Sequence, residues 1–526
     1  MGSKDTPIRH SLDGGWATDF GPIVTSRPND EGNISVPFLI EAENVDYVLP
    51  RGARKMGGTA VSNTAVLDSS TSNILGIFDF WRQGVTGAPT RRRVAHVGTT
   101  IVADNDDNNY STTLATGLES GVVPHYALFD DFLIIGSDST VDVPRSWDQT
   151  TFQNLAGSPP RFSFSCAHQN RHWAAGVHTA PSRLYYTANL DPEDWTGGGS
   201  GSIDIDPGDG DRITAIISYK NELWVFKGPN KGSIHRITGA TPSTFARSVF
   251  IRGLGCAGAN AVTTFGDDIA FMWSTGTVHS LKATSAFGDY NQAFLTHPID
   301  TWIRENTHHA RTRFAWMIND SVNSKLHIAC SYNAVQYNGL VLVYDYRFQP
   351  GRWALRNSYN AQSLGYFIEG GAKDRRIYAG GTDGNIRRCD MPTRSIDGST
   401  GISAKITLPT FTYGHPLYKK VLTDLGLGVV PTGNYNAAIN WSRDGKSIQT
   451  ANVSLQGGDV IGDDWAPGVS ALGGLRYTNN YVDAIAGDEF RGIQYQVTNS
   501  TAAQEMEVHD LQAMVTFTSQ TDTEAS

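Results

Sequence analysis

The chain is poor in the features that usually announce a mechanism. Its four cysteines, Cys166, Cys256, Cys330 and Cys389, lie at least 59 residues apart in 526, so no pair has the close spacing of a zinc ligand set. They sit in or beside strand-like runs such as "FSFSC" and "LHIAC" and read as reduced, mostly buried thiols. No run of eighteen apolar residues occurs, and the opening "MGSKDTPIRHSLDGGW" has no apolar segment of a signal peptide. The expectation is a chain kept in a cytoplasm or packed into something assembled there. Basic residues are outnumbered, 42 against 52 acidic, for a formal charge of −10. That excludes a grip on nucleic acid by the molecule as a whole through phosphate neutralisation, and leaves room only for a local basic patch. There is no H-E-x-x-H, no G-x-S-x-G elbow, no Walker sequence and no long stretch with a 3.6-residue apolar period.

What is abundant is turn and strand material: 55 glycines, 12 tryptophans and 20 tyrosines suggest many short strands between tight turns, an all-β class. From about residue 74 to 395 one pattern recurs, a polar turn, a short apolar strand, a Gly or charged turn and another strand. Examples are "RRRVAHVGTTIVAD", "YKNELWVFKGPNKGSIHRITG" and "KDRRIYAGGTDGNIRRCD". Anchoring the repeat on Val94, Phe132, His172, Leu223, Ile269, Leu326 and Ile377 gives spacings of 38 to 57 residues, the period of propeller blades. A single twisted sheet of four strands cannot cover both its faces, whereas radial stacking covers each face with a neighbour. The expected fold is therefore a β-propeller of about seven blades over 74–395. An extended N-terminal arm precedes it over 1–73, and a C-terminal antiparallel β-sandwich follows over 396–526.

The motifs are weaker than they look. "SIDIDPGDGDRI" crowds Asp204, Asp206, Asp209 and Asp211 into eight residues. A calcium loop needs ligands at positions 1, 3 and 5 and Glu at 12. Starting at Asp204 the fifth is Gly208 and the twelfth Ala215; starting at Asp206 the third is Gly208. The stretch reads as two turns, Pro207-Gly208 and Asp209-Gly210, with a bound cation as the alternative. "GLGCAG", Gly253 to Gly258, fits a dinucleotide fingerprint by letter, but β-type residues follow where a helix is required. The carboxylate pairs Asp130-Asp131, Asp267-Asp268 and Asp463-Asp464 are adjacent, and neighbours on a strand point to opposite faces, so they read as turns. "SRDGKSIQ", from Ser442, departs from a sialidase turn in its Gly position and lacks the Trp. Basic clusters at Arg51, Arg54 and Lys55 and at Arg91, Arg92 and Arg93 are candidate phosphate or interface contacts. The competing reading is charge that blocks a strand edge.

The segment Ser182 to Gly239, "SRLYYTANLDPEDWTGGGSGSIDIDPGDGDRITAIISYKNELWVFKGPNKGSIHRITG", resembles the signature stretch of propeller-bearing virion proteins in bacteriophage tails. In that family a "PedW" element leads into a "gpgDGd" turn and an apolar "vvFK" strand. "GCAGANAVTTFGDDIAFMWSTGTVHSL" is similar to its following blade, and "DGGWATDFGP" with "AENVDYVLPRGARKMGG" to its arm. The resemblance implies the tail nozzle or hub protein of a short-tailed phage. Such a protein is a non-enzymatic homohexameric ring below the portal and adaptor proteins, without cofactor or metal. It would extend the channel for double-stranded DNA, help retain the packaged genome and dock tail fibres or spikes, with the virion tail as its location. On that reading Asp204, Asp206, Asp209 and Asp211 become a candidate lumen or interface loop. Six copies would carry a formal charge of about −60, which lets DNA slide rather than stick. Two other readings stay open, a glycan-binding or glycan-cleaving propeller at the host surface and a stopper or head-completion protein at another level of the tail.

Overall fold

The computed structural model describes residues 8–12, 14–20, 23–24, 33–34, 38–49, 52–69, 71–82, 90–105, 107–283, 294–333, 335–369, 374–456, 478–483 and 489–519. Arg51, Asp463 and Asp464 lie outside the described residues. The chain divides into two compact units, residues 61–342 with 359–389, and residues 1–60 with 343–358 and 390–526.

The first unit is a propeller. Its opening blade runs Ile74–Arg82, Thr90–Val97, Thr100–Ala103 and Thr112–Ala115, each strand antiparallel to the one before. The same four-strand meander recurs over Pro124–Asn154, Phe164–Asp204 and Arg212–Arg252. A three-strand version spans Val262–Ser280. The sixth and seventh blades open with the hairpins Trp316–Asp320/Lys325–Cys330 and Ser363–Glu369/Asp374–Gly380. The first strand of each blade touches the first strand of the next, and that of the seventh touches that of the first, so the seven close into a ring. All seven repeat anchors, Val94 through Ile377, fall on the second strand of their blade.

The core is a set of wedges between blades rather than one central mass. Phe80, Val94, Leu133 and Trp147 fill the gap between the first and second blades. Trp173, Leu184, Ile213 and Leu223 fill that between the third and fourth, and Ile74, Ala95, Phe367 and Tyr378 that between the seventh and first. A strap of chain ahead of the first blade finishes the closure. Ser62 N–H donates to Ile386 O (2.8 Å), Ile386 N–H to Asn63 Oδ1 (2.7 Å) and Leu67 N–H to Gly384 O (2.9 Å).

Hairpin turns carry the expected left-handed residues, Lys220 (φ 50°) with Asn221 (60°), Gly266 (51°), Gly276 (86°) and Gly384 (69°). Asp130 (φ 51°) belongs to the turn between the first two strands of the second blade, and Asp267 follows Gly266 in the corresponding turn of the fifth.

The second unit is a sandwich of two sheets. One orders Ile8–Ser11, Glu507–Ser519, Lys419–Val429 and Thr478–Asp483 side by side. The other pairs Glu41–Glu43, Ala404–Thr407, Ile493–Asn499, Asn436–Arg443 and Gln449–Ser454. Burial alternates along Ile493–Asn499 and Asn436–Arg443, as one-sided packing requires. Between the sheets, the buried His10 ring packs 4.2 Å from Phe411, and Tyr413 Oη lies 2.8 Å from Tyr495 Oη.

These boundaries differ from those read in the sequence. Residues 8–11 are a paired strand of the sandwich, not an arm standing apart. Residues 343–358 join the same unit because Leu355 pairs with Glu43 and Tyr47 Oη donates to Trp353 O (2.7 Å). Asn44 Nδ2 adds bonds to Asn357 Oδ1 and to Ser403 O, both 2.7 Å.

Candidate functional site

The aspartate loop lies between the outermost strand of the third blade, Gly201–Asp204, and the innermost strand of the fourth, Arg212–Tyr219. Its turns are those expected, with Gly208 at φ 84° and Gly210 at 91°. Each carboxylate has a protein partner. Asp204 takes a two-pronged bond from Arg183 (2.7 and 3.1 Å), and Asp206 pairs with Arg247 and with Arg252 (3.0 Å). Those arginines hold both carboxyls below the usual carboxylate range. Asp209 pairs with the fully buried Lys227 (2.8 Å). Burial pushes the Asp209 carboxyl up, but the hydrogen bonds from Lys227 and from Asp211 N–H outweigh it and leave it lowered.

Asp211 is itself buried and accepts the N–H groups of Asn230 (2.8 Å), Lys231 (2.9 Å) and Gly232 (2.7 Å). The loop is thus a clasp between strands. Asp211 is shielded from solvent, and no group of three or more metal-ligating side chains occurs among the described residues.

Described residues of both basic clusters are taken up by partners within their own units. Thr90–Val97 is the second strand of its blade; Arg91, Arg92 and Arg93 pair with Asp79–Trp81 of the first strand, whereas the third strand pairs only with Val94–Val97. Arg91 Nε donates to Asp79 Oδ1 (2.8 Å). Arg93 is buried, hydrogen-bonds Asn108 and lies 4.9 Å over the Phe367 ring. Arg92 Nη1 bonds the Arg91 carbonyl (3.1 Å). In the sandwich unit Lys55 is buried with its Nζ on Asn499 Oδ1 (2.8 Å) and Thr501 O (2.7 Å). Burial, then Arg394, pulls that ammonium down to about 8. Arg54 sits directly across from Glu507 on the neighbouring strand. These cations were absorbed by local carboxylates and carbonyls, which position in the sequence does not reveal.

The glycines of "GLGCAG" serve packing. A Cβ on Gly255 would sit 1.8 Å from Lys227 O, and one on Gly258 2.4 Å from Arg313 O.

What the ring does create lies on its axis. A cavity of about 450 Å³ is lined from the inner strands of five blades, among them Phe78 and Trp81 of the first, Tyr126 of the second, Trp316 of the sixth and Tyr366 of the seventh. Phe78 and Tyr126 stack with centroids 5.3 Å apart. A smaller cavity of about 110 Å³ is lined by Asp138, Ser163, His178, Arg212, Thr214 and Arg313. His125 and Ala259 line both. Burial lowers the His125 imidazole to about 4, so it is neutral at pH 7.

Several of the polar groups here are held by protein partners. Ser163 Oγ donates to Gly176 O (2.7 Å) and Thr214 Oγ1 to Cys256 O (2.6 Å). Asp79 Oδ2 accepts Ile368 N–H (2.8 Å), while Asp138 accepts Val123 N–H (2.5 Å) and Arg313 Nη1 (3.2 Å). Stacking and charge recognition are what the axis offers. None of these lining residues stood out in the sequence. The signal available was the first strand of each repeat, because most of the lining comes from those strands.

No family model matches the chain, and no curated protein does. Among solved structures, YCF48 bound to D1 peptide matches with a TM-score of 0.39 at 10% identity, over 66% of this chain and 97% of that one. YCF48 from Cyanidioschyzon merolae matches with a TM-score of 0.38 at 10% identity, over 63% and 98%. The propeller assignment rests on the strand order and ring closure described above.

Proposed function

We propose that the chain is a structural subunit of a bacteriophage tail, a nozzle or hub component that assembles as a homohexameric ring beneath portal and adaptor proteins and extends the DNA channel. The observation that carries this reading is how the family-like stretch Ser182 to Gly239 uses its charges. Asp206 and Asp209 tie the loop that leaves the third blade to Arg247, Arg252 and Lys227 of the fourth, while Asp204 pairs with Arg183 inside the third blade and Asp211 holds the 230–232 turn inside the fourth, so the segment that resembles the tail family is framework rather than a ligand site. The arm-like motif behaves similarly, with Asn44 and Tyr47 tying strands of the sandwich unit. A net charge of −10 per copy suits a conduit that repels DNA more than a clamp that holds it.

Electron microscopy of the purified protein and of intact particles tests the proposal. A sixfold ring with an axial opening, placed below the portal, is the expected result. A position at the head–neck junction would reassign the chain as a stopper. A monomer that binds sugars saturably would overturn the structural reading in favour of a glycan-binding propeller, the alternative that the five aromatic rings of the larger axial cavity favour.

A further inference from the structure

The smaller axial cavity carries a charge imbalance that the rest of the molecule does not explain. Its lining holds two guanidinium groups, Arg212 and Arg313, against one carboxylate, Asp138, in a chain that is acidic overall. Asp138 is committed: one oxygen accepts Val123 N–H (2.5 Å), the other Arg313 Nη1 (3.2 Å), and its carbonyl oxygen lies 3.0 Å from His178 Nε2. Arg212 is half-buried, and among the described residues no carboxylate or carbonyl pairs with its guanidinium. The neighbouring hydroxyls of Ser163 and Thr214 already donate to carbonyls. His125, neutral at pH 7, keeps its buried Nδ1 without a partner.

A guanidinium lining a partly open recess without a protein acceptor is available to an anion from solution, and its planar fork suits two oxygens of one group. The geometry points to an oxyanion site at this end of the propeller axis, in which Arg212 supplies the two-pronged contact, Arg313 the second positive charge and His125 part of the wall. A volume of about 110 Å³ has room for a single phosphate or carboxylate group. The occupant is therefore a free small oxyanion or the terminal anionic group of a small molecule.

Calorimetric titration of the full-length protein with inorganic phosphate and, separately, with acetate tests this, with sodium chloride at matched ionic strength as the blank. Saturable binding of one or both anions is expected, the tighter one naming the group. Arg212→Gln should weaken it at least tenfold, Arg212→Lys should fall between the two, and Lys446→Gln, an exposed change in the other unit, should leave it unaltered. Modification of the wild-type protein by phenylglyoxal gives a readout independent of the variants' folding. Saturating anion should slow labelling of Arg212 at least fivefold and leave the exposed Arg161 unaffected. No saturable binding beyond the chloride blank, equal affinity in Arg212→Gln, or unprotected labelling of Arg212 would each overturn the assignment.

Discussion

Lys227 offers the sharpest test of how the blades are held. Its side chain has no exposed surface, and its ammonium lies 2.7 Å from Ile205 O, 2.8 Å from Asp209 Oδ2, 2.9 Å from Asp206 O and 3.2 Å from Ser182 Oγ. Lys227→Met keeps the length of the side chain and removes every donor. Two carbonyls and a carboxylate then lose their partner. Breaking one side of a buried ion pair costs about 3–5 kcal/mol. Asp209 is 26% exposed and keeps the N–H of Asp211 at 2.9 Å, which places the loss near the lower end, about 3 kcal/mol. At about 2–4 °C per kcal/mol for a unit of this size, the melting temperature should fall by roughly 6–12 °C.

Urea titration followed by tryptophan fluorescence reads this directly, because Trp173 and Trp224 stand in the two blades that the loop joins. Combined with Asp209→Asn in a double-mutant cycle, the pair should show about 1–3 kcal/mol of coupling. A Lys227→Met protein within about 0.5 kcal/mol of wild type, the range of neutral surface changes, would refute the clasp and reduce the loop to a passive connection.

Further outcomes follow from burial and close approach. Burial lowers His10, His172 and His279 to about 3 and His125 to about 4. The unfolded chain then takes up protons that the folded chain refuses below the free-histidine value of about 6.5, so stability is complete above that pH and declines as pH drops toward 4. A urea midpoint that stays flat from about pH 7.5 to about pH 4.5 would contradict this. Gly255→Ala sets a Cβ 1.8 Å from a backbone oxygen that cannot give way, and equilibrium unfolding should show a loss of about 3 kcal/mol or more. Gly253→Ala meets no atom within 4 Å and suffers only from its φ of 87°, a cost of about 1–2 kcal/mol in the same assay. Burial drives the thiols of Cys166, Cys256 and Cys330 up to about 12. A disulfide-exchange reagent at neutral pH should therefore leave these three unlabelled in the native protein and titrate all four cysteines after denaturation.

The propeller was legible because its signal is local. Six of the seven anchors are buried, Phe132 being half-buried, and hairpin turns such as Lys220-Asn221 announce themselves by residue type. The sandwich was legible only in part. Strands as short as Glu41–Glu43 carry no periodicity, and what fixes them is a partner some 300 residues away, as Leu355 is for Glu43. Charged residues misled for a related reason. Asp211 and Arg93 look like surface groups in the sequence, yet each is buried among backbone N–H or aromatic partners brought in by the fold. The axial lining was hidden because it is assembled from short pieces of five blades that lie far apart in the sequence.

The strand Ile8–Ser11 finds its antiparallel partner in residues 510–513. At roughly 5–20 residues added per second, a newly made Ile8 waits about 25–100 s before Ala513 exists to receive it. Throughout that interval the first strands are an open template, free to bind another nascent chain on the same message. A chain that stops short of Glu507 lacks the strand that lies between Ile8–Ser11 and Lys419–Val429, so the first strand is left without its antiparallel partner.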